Sequence, residues 1–207
     1  MEYVREPQPR MTPEQYLEFE REAEFHHEYY HGIVYAMSGG SNNHAILIAH
    51  LAASLVAALR KKPCSVTVND MRLRVTPDGL YTYPDVMVHC GEHQYVDSRK
   101  DILVNPTVVI EVLSPSTEAY DRGFKFHQYK LVESLQEYAL VSQSEPRIEV
   151  FRRQSHGAWL IQESLGLEAR CALASIDCEL LLSEVYEKVV FDPSQIAANR
   201  PKPDLPR

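Results

Sequence analysis

The chain has 207 residues, 44% of them hydrophobic and 24% charged, with a formal net charge of −8. That is the composition of a soluble globular protein long enough to bury one sizeable core, and its acidity excludes a general nucleic-acid coat protein, which would be basic. A nuclease is not excluded, since only the local surface has to be positive, and half of the excess charge lies in residues 1–25, with seven acidic and three basic side chains.

Residues 1–12 read as an irregular N-terminal arm without the apolar centre of a signal peptide. Thr12-Pro13-Glu14 is a helix start, and the pattern predicts an acidic helix over 13–25. Glu28-Tyr29-Tyr30-His31-Gly32 leads through a glycine turn into a short strand, IVYAM. Gly39 to Asn43 forms a loop and cap before a helix over 44–62, whose Leu47, Ile48, Leu51, Leu55 and Leu59 recur at helical spacing. His44 lies on that face one turn earlier. No run of eighteen apolar residues calls for a membrane span.

Residues 66–75 switch the phase of their alternation, which predicts a bulge near Asn69-Asp70. Tyr81 to Cys90 reads as a strand and 91–106 as a polar loop. The run TVVIEVL, 107–113, is apolar and β-branched, as in a strand buried on both faces. A cap-rich bend at 114–117 precedes a helix over 118–132. EYALVSQ and RIEVFRR form a hairpin, a further strand pair starts near Gly157, and a short helix over 183–189 takes Ser183 as its N-cap. Residues 13–198 are expected to form one domain, and the Pro-rich tail 199–207 is expected to be disordered. Cys64, Cys90, Cys171 and Cys178 contain no CxxC pair, so buried free thiols in a reducing cytoplasm are expected.

Glu111 stands inside the most apolar strand, where a lone carboxylate is costly to desolvate unless paired or bound to a cation. Pro84-Asp85 supplies a second carboxylate at a strand start, and Lys125 follows on the next helix. Two carboxylates and a lysine are the parts needed to hold Mg²⁺ and to stabilise charge building up on a phosphate. Asp121, four residues before Lys125, offers the competing explanation of a plain helix-surface ion pair. His44, at a helix N-terminus, is expected to stay neutral and to orient a phosphate or water; a partly buried capping histidine explains it equally well. A zinc site from His89, Cys90 and His93 is disfavoured, because strand neighbours point to opposite faces.

These residues stand in a longer pattern. PD in a strand, then EVLSPST, then DRGxKxxxY, then EYxLVxQ resembles the Uma-two family of restriction endonucleases, within the PD-(D/E)xK nuclease superfamily. The resemblance runs from about Glu28 to Val190, and includes the upstream segment from Glu28 to His44. It implies a restriction-endonuclease-like α/β core: a mixed sheet flanked by helices, with Mg²⁺ (or Mn²⁺) on Asp85 and Glu111. The superfamily's lysine two residues after the acid is replaced by Leu113, and Lys125 matches the position to which this family's lysine has moved. Glu28 and His44 match the family's first acid and its histidine. One departure is that His31-Gly32-Ile33 stands where the family often has Asp-Gly-Glu.

The expectation is an Mg²⁺-dependent endonuclease that hydrolyses DNA, cytoplasmic and not membrane-bound, with a homodimer compatible with it. Asp85, Glu111, Lys125, His44 and Glu28 would form the site, and Arg122, Lys130, Arg72 and Arg74 are candidates for phosphate contacts. The alternative is a non-catalytic nuclease-like module that binds a partner, which the acidic charge favours and the intact Asp-Glu-Lys set disfavours.

Overall fold

The computed structural model describes residues 10–37 and 39–191; residues 1–9 of the expected arm, 192–198 of the expected domain and the tail 199–207 lie outside the described residues. Its architecture is the expected mixed α/β one, with helices against a six-stranded and a five-stranded sheet.

Helix α1 (Pro13–Glu22) starts at a reciprocal cap: the Thr12 hydroxyl accepts from the Gln15 amide, and the Gln15 side chain accepts from the Thr12 amide. It ends three residues before the sequence suggests. Strands β1 (His27–Tyr30) and β2 (Ile33–Ala36) form a hairpin across His31 and Gly32, at φ +45° and +91°. Two positive φ values in a two-residue loop match the twist of the flanking strands. A Cβ on Gly32 would also stand 3.0 Å from the Arg10 Cβ. Helix α2 (Asn42–Leu59) is capped by the Ser41 hydroxyl and buries Leu47, Ile48, Leu51, Leu55 and Leu59. Its mean hydropathy, 1.4 over 18 residues, suffices for a membrane span, but its leucine face docks on the larger sheet as a core helix does.

Two segments that read as continuous strands cross between the sheets. The phase switch at 66–75 is a turn, not a bulge: β3 (Cys64–Val68) belongs to the six-stranded sheet and β4 (Arg72–Arg74) to the five-stranded one, with Asn69 at φ +46° between them. Residues 81–90 likewise divide into β5 (Tyr81–Thr82) and β6 (Val86–Cys90). Pro84 has no N–H to donate to a ladder, so the strand breaks there. The polar loop contains a short strand, β7 (Ile102–Leu103), parallel to β4.

Next come β8 (Val108–Leu113), a helical segment from Glu118 to Tyr129, then β9 (Glu137–Ser142), β10 (Arg147–Arg153), β11 (Trp159–Leu165), β12 (Arg170–Leu173) and β13 (Cys178–Leu181). The last helix, α5, covers Leu182–Val185 within the packed end of the core; Leu181, not Ser183, is its N-cap. The sheet orders are β11-β10-β9-β8-β6-β3 and β2-β1-β5-β4-β7. Strand β8 is central, antiparallel to β6 and parallel to β9. Its alternation divides the core. Val108, Ile110 and Val112 pack beneath α2. Val109 and Leu113 face a second cluster with Tyr129 and Tyr138. Glu111 shares the parity of Val109 and Leu113.

The cysteine expectation is half corrected. Cys171 and Cys178 are buried free thiols, but Cys64 and Cys90 are joined in a disulfide. They are directly opposite each other in the β3–β6 pair, 26 residues apart in sequence, so no short spacing announces them. The bond ties the edge strand β3 to the sheet. Its reduction should lower stability by about 2–4 kcal/mol, the usual cost of opening a loop of this length. Urea denaturation with and without dithiothreitol measures it, and an unchanged midpoint would mean that the bond contributes nothing.

Candidate active site

The strand pairing brings the acids together. Val86 lies opposite Ile110, so Asp85, one residue before β6, stands across from Glu111. Each touches the other's backbone neighbourhood: the Asp85 amide donates to Glu111 Oε2 at 3.3 Å, and the Val112 amide donates to Asp85 Oδ2 at 2.7 Å. On the hairpin, Tyr29 packs towards α1, so its neighbour Glu28 faces the other way, towards the acids.

Lys125 comes from the helical segment after β8, which is not one regular helix. Short α-turns α3 (Glu118–Tyr120) and α4 (Phe126–Tyr129) flank a π-helical turn, Asp121–Lys125, closed by the Phe126 amide donating to the Asp121 carbonyl. Such widened turns are common at functional sites. This one directs Asp121 and Lys125 to the same side. The Lys125 ammonium is 3.0 Å from Glu111, 3.2 Å from Glu28 and 3.5 Å from Asp121. It therefore points into the carboxylate cluster as well as pairing with Asp121. One turn on, the Tyr129 hydroxyl donates to Glu111 Oε1 at 2.7 Å. The Thr82 hydroxyl donates to Glu28 Oε1, and the Tyr120 hydroxyl to Glu28 Oε2 at 2.9 Å.

His44 reaches the cluster from the end of α2, with Nε2 3.2 Å from Asp85 Oδ2. Gly40 is packed so closely on its ring that an added Cβ would stand 2.6 Å from Nδ1. The ring does not stay as neutral as its helix position suggests. Burial pushes its pKa down, but the hydrogen bond and charge of Asp85, with Asp121 beyond, outweigh burial and raise it.

The other groups titrate under the same negative field. Burial, then Asp85 and Asp121, pushes Glu111 up to about 8 against the pull of Lys125. Burial also raises Asp121, against Lys125 and a hydrogen bond from Thr117. For Lys125 burial acts downward, but Glu111, Glu28 and Asp121 hold the pKa well above its ordinary value.

All five expected site residues line one cavity of about 1070 Å³, together with Asp121, Tyr83, Tyr120 and Phe124. Asp121 and Tyr129 are the additions. Their spacing of four on either side of Lys125 was visible in the sequence, but gave no sign that all three turn inward.

Four carboxylates thus face one ammonium and one imidazole. That donor set fits Mg²⁺. Among the described residues no three His, Cys, Asp or Glu side chains form a ready-made cage, but Mg²⁺ keeps several waters and takes one or two carboxylates. Asp85 and Glu111 are the pair that would hold it.

The expected phosphate contacts fare differently. Arg72 is 5% exposed, with Nε and one terminal nitrogen donating to the Tyr83 hydroxyl, so it cannot meet an external phosphate. Arg74 lies opposite Tyr81 in the five-stranded sheet and does not line the cavity. Arg122 pairs with Glu118 at 2.7 Å and Glu149 at 2.5 Å, and the Lys130 ammonium lies 5.1 Å from the Phe126 ring centroid.

The family described as "Uma2: Putative restriction endonuclease" matches residues 13–181. Two proteins of Synechocystis sp. are similar along most of their length. The uncharacterized protein slr1290 is 35% identical over 89% of this chain and 96% of its own, and the uncharacterized protein sll1609 is 33% identical over 77% and 90%. The fold is shared with the crystal structure of a "putative nuclease belonging to DUF820" from Anabaena variabilis, at a TM-score of 0.71 and 18% identity, covering 87% of this chain and 99% of that one. On its sequence and its fold, this chain belongs to the Uma2 restriction-endonuclease-like family.

Proposed function

We propose that the protein is an Mg²⁺-dependent endonuclease that hydrolyses DNA phosphodiester bonds. The observation that carries this reading is the gathering of Glu28, Glu111 and Asp121 around a single buried lysine, with Asp85 beside Glu111, at the floor of an open cavity. A purely structural module gains nothing from such an excess of buried acid, because each unpaired carboxylate costs desolvation.

Bound at Asp85 and Glu111, Mg²⁺ would supply Lewis acidity towards the phosphate and make a nearby water more acidic. The chain's own groups do the rest. Lys125 and Tyr129 fix Glu111 Oε1, which sets the direction of the carboxylate. His44 and the Val112 amide hold Asp85 Oδ2 in the same way. The Lys125 ammonium orients the attacking water or neutralises charge as it develops on the phosphate.

Calorimetric titration with Mg²⁺, run beside cleavage of both single-stranded circular DNA and supercoiled plasmid, tests the reading. The wild-type protein should bind the ion and cut at least one of the two DNAs. Glu111→Ala should lose about tenfold or more in Mg²⁺ affinity, at least the cost of removing a metal site's supporting partner. Equal affinity in both proteins would remove Glu111 from the metal site.

A further inference from the structure

We infer that the strand cut at this site is single-stranded DNA, with an unpaired base stacked on a wall formed by Tyr30, Phe124 and Tyr120. The inference rests on the nuclease reading above and adds the form of the substrate.

Depth is the first consideration. Glu111 is 3% exposed and Lys125 6%, so a phosphate must descend to the cavity floor to meet them. The cavity has roughly the volume of a large small-molecule pocket. Duplex DNA is stiff over about 150 base pairs and keeps its phosphates on the outside of a wide helix. Its stiff backbone follows the walls of such a cavity less readily than a flexible single strand does.

The walls are the second. Tyr30 comes from β1, and Tyr120 and Phe124 from the widened helical segment. The Tyr30 and Phe124 rings meet edge to face, with centroids 4.8 Å apart, and Tyr120 and Phe124 stack at 5.2 Å and 17°. The Tyr120 hydroxyl is anchored on Glu28, which locks its ring beside the reactive cluster. Core packing alone accounts for the inner edges of Tyr30 and Phe124. All three rings are only partly buried and border the cavity. Bases stack on such rings whatever their identity.

Charge is the third. Duplex binders gain affinity by neutralising many phosphates with Lys and Arg. Among the described residues lining this cavity, Lys125 is the one lysine and there is no arginine. The neighbouring Arg122 is held by Glu118 and Glu149, and Arg72 is buried. Affinity then has to come from stacking near one metal-held phosphate, the arrangement a single strand provides.

The test compares three substrates in Mg²⁺: a mixed-sequence oligonucleotide, the same strand annealed to its complement, and bis(p-nitrophenyl) phosphate, a diester without bases. The single strand should be cut about tenfold or more faster than the duplex. Phe124→Leu should raise KM for the single strand by roughly 5- to 150-fold more than for the base-free diester, the range for loss of one stacked base. Wild-type binding of single strand against duplex, read by fluorescence anisotropy with Ca²⁺ in place of Mg²⁺, keeps the test independent of how well Phe124→Leu folds, and should favour the single strand. Cleavage of the duplex at an equal or greater rate, equal binding of both forms, or equal changes in the two KM values would overturn the inference while leaving the nuclease reading intact. Failure to hydrolyse any of the three would overturn both.

Discussion

Lys125→Met should abolish cleavage and lower stability by about 3–5 kcal/mol, the usual cost of breaking a buried ion pair by removing one partner. The size of the effect follows from the neighbours. Glu111, Glu28 and Asp121 all lie within 3.5 Å of the ammonium, and Lys125 and Glu111 are almost fully buried. Without the ammonium, three carboxylates are left facing each other, and they must take up protons or repel. Mg²⁺ replaces part of the missing charge, so the urea midpoint of Lys125→Met should recover partly in millimolar Mg²⁺, while cleavage should not return. Asp121→Asn is the control. It removes one acid from an overcrowded cluster and leaves the Lys125–Glu111 contact in place, so it should retain most of the cleavage. A folded Lys125→Met protein that cuts DNA at the wild-type rate would remove Lys125 from the chemistry.

What the sequence made legible depended on rules that act along the chain. Glu111 could be singled out because a carboxylate inside an apolar β-branched strand needs a partner. His44 could be placed because it continues the leucine face of α2, and the structure sets it 3.2 Å from Asp85. Lys125 could be proposed because the bend at 114–117 returns its helix over the strand end. The features that escaped depend on which strands become neighbours. Arg72 reads as a candidate phosphate contact, since nothing in RLR shows that β4 leaves one sheet for another and meets Tyr83. Cys64 and Cys90 are joined through a strand pairing that spacing does not reveal. A surface ion pair of Asp121 with Lys125 is the competing explanation for a regular helix, and the π-helical turn carries both side chains inward. Tyr30 and Phe124 lie 94 residues apart in sequence and meet only when the β1–β2 hairpin closes over the helical segment.

The metal-free protein should lose stability as pH rises from about 6.5 to 8, contrary to the usual behaviour of a protein rich in ion-paired carboxylates. Glu111 is pushed by burial from 4.5 in the unfolded chain up to about 8 in the folded one, with Asp85 and Asp121 adding to burial and Lys125 opposing it. Between those values the folded state binds a proton that the unfolded state does not. The contribution is therefore complete below 4.5 and is lost as pH climbs through 8. Asp121 and His44 are raised as well and act with the same sign, from 3.8 and 6.5 upward. His89, pushed down to about 4 by burial and then by His93, acts with the opposite sign between about pH 4 and 6.5 and offsets Glu111 there, so the net loss falls above 6.5; Asp97 and Asp101, held low by Arg21, also act with the opposite sign, but below about pH 4. While one group titrates, the slope can reach about 1.4 kcal/mol per pH unit. Mg²⁺ competes with the proton on Glu111, so its stabilising effect should grow across the same window and flatten the slope. Glu111→Gln, which still accepts from Lys125 and Tyr129 but carries no charge, should flatten it without metal. Urea denaturation of both proteins at pH 5, 6.5 and 8, in EDTA and in Mg²⁺, reads all of these. A wild-type apoprotein whose stability is flat or rises between about pH 6.5 and 8 would mean that Glu111 is already ionised at neutral pH, with Lys125 compensating it in full.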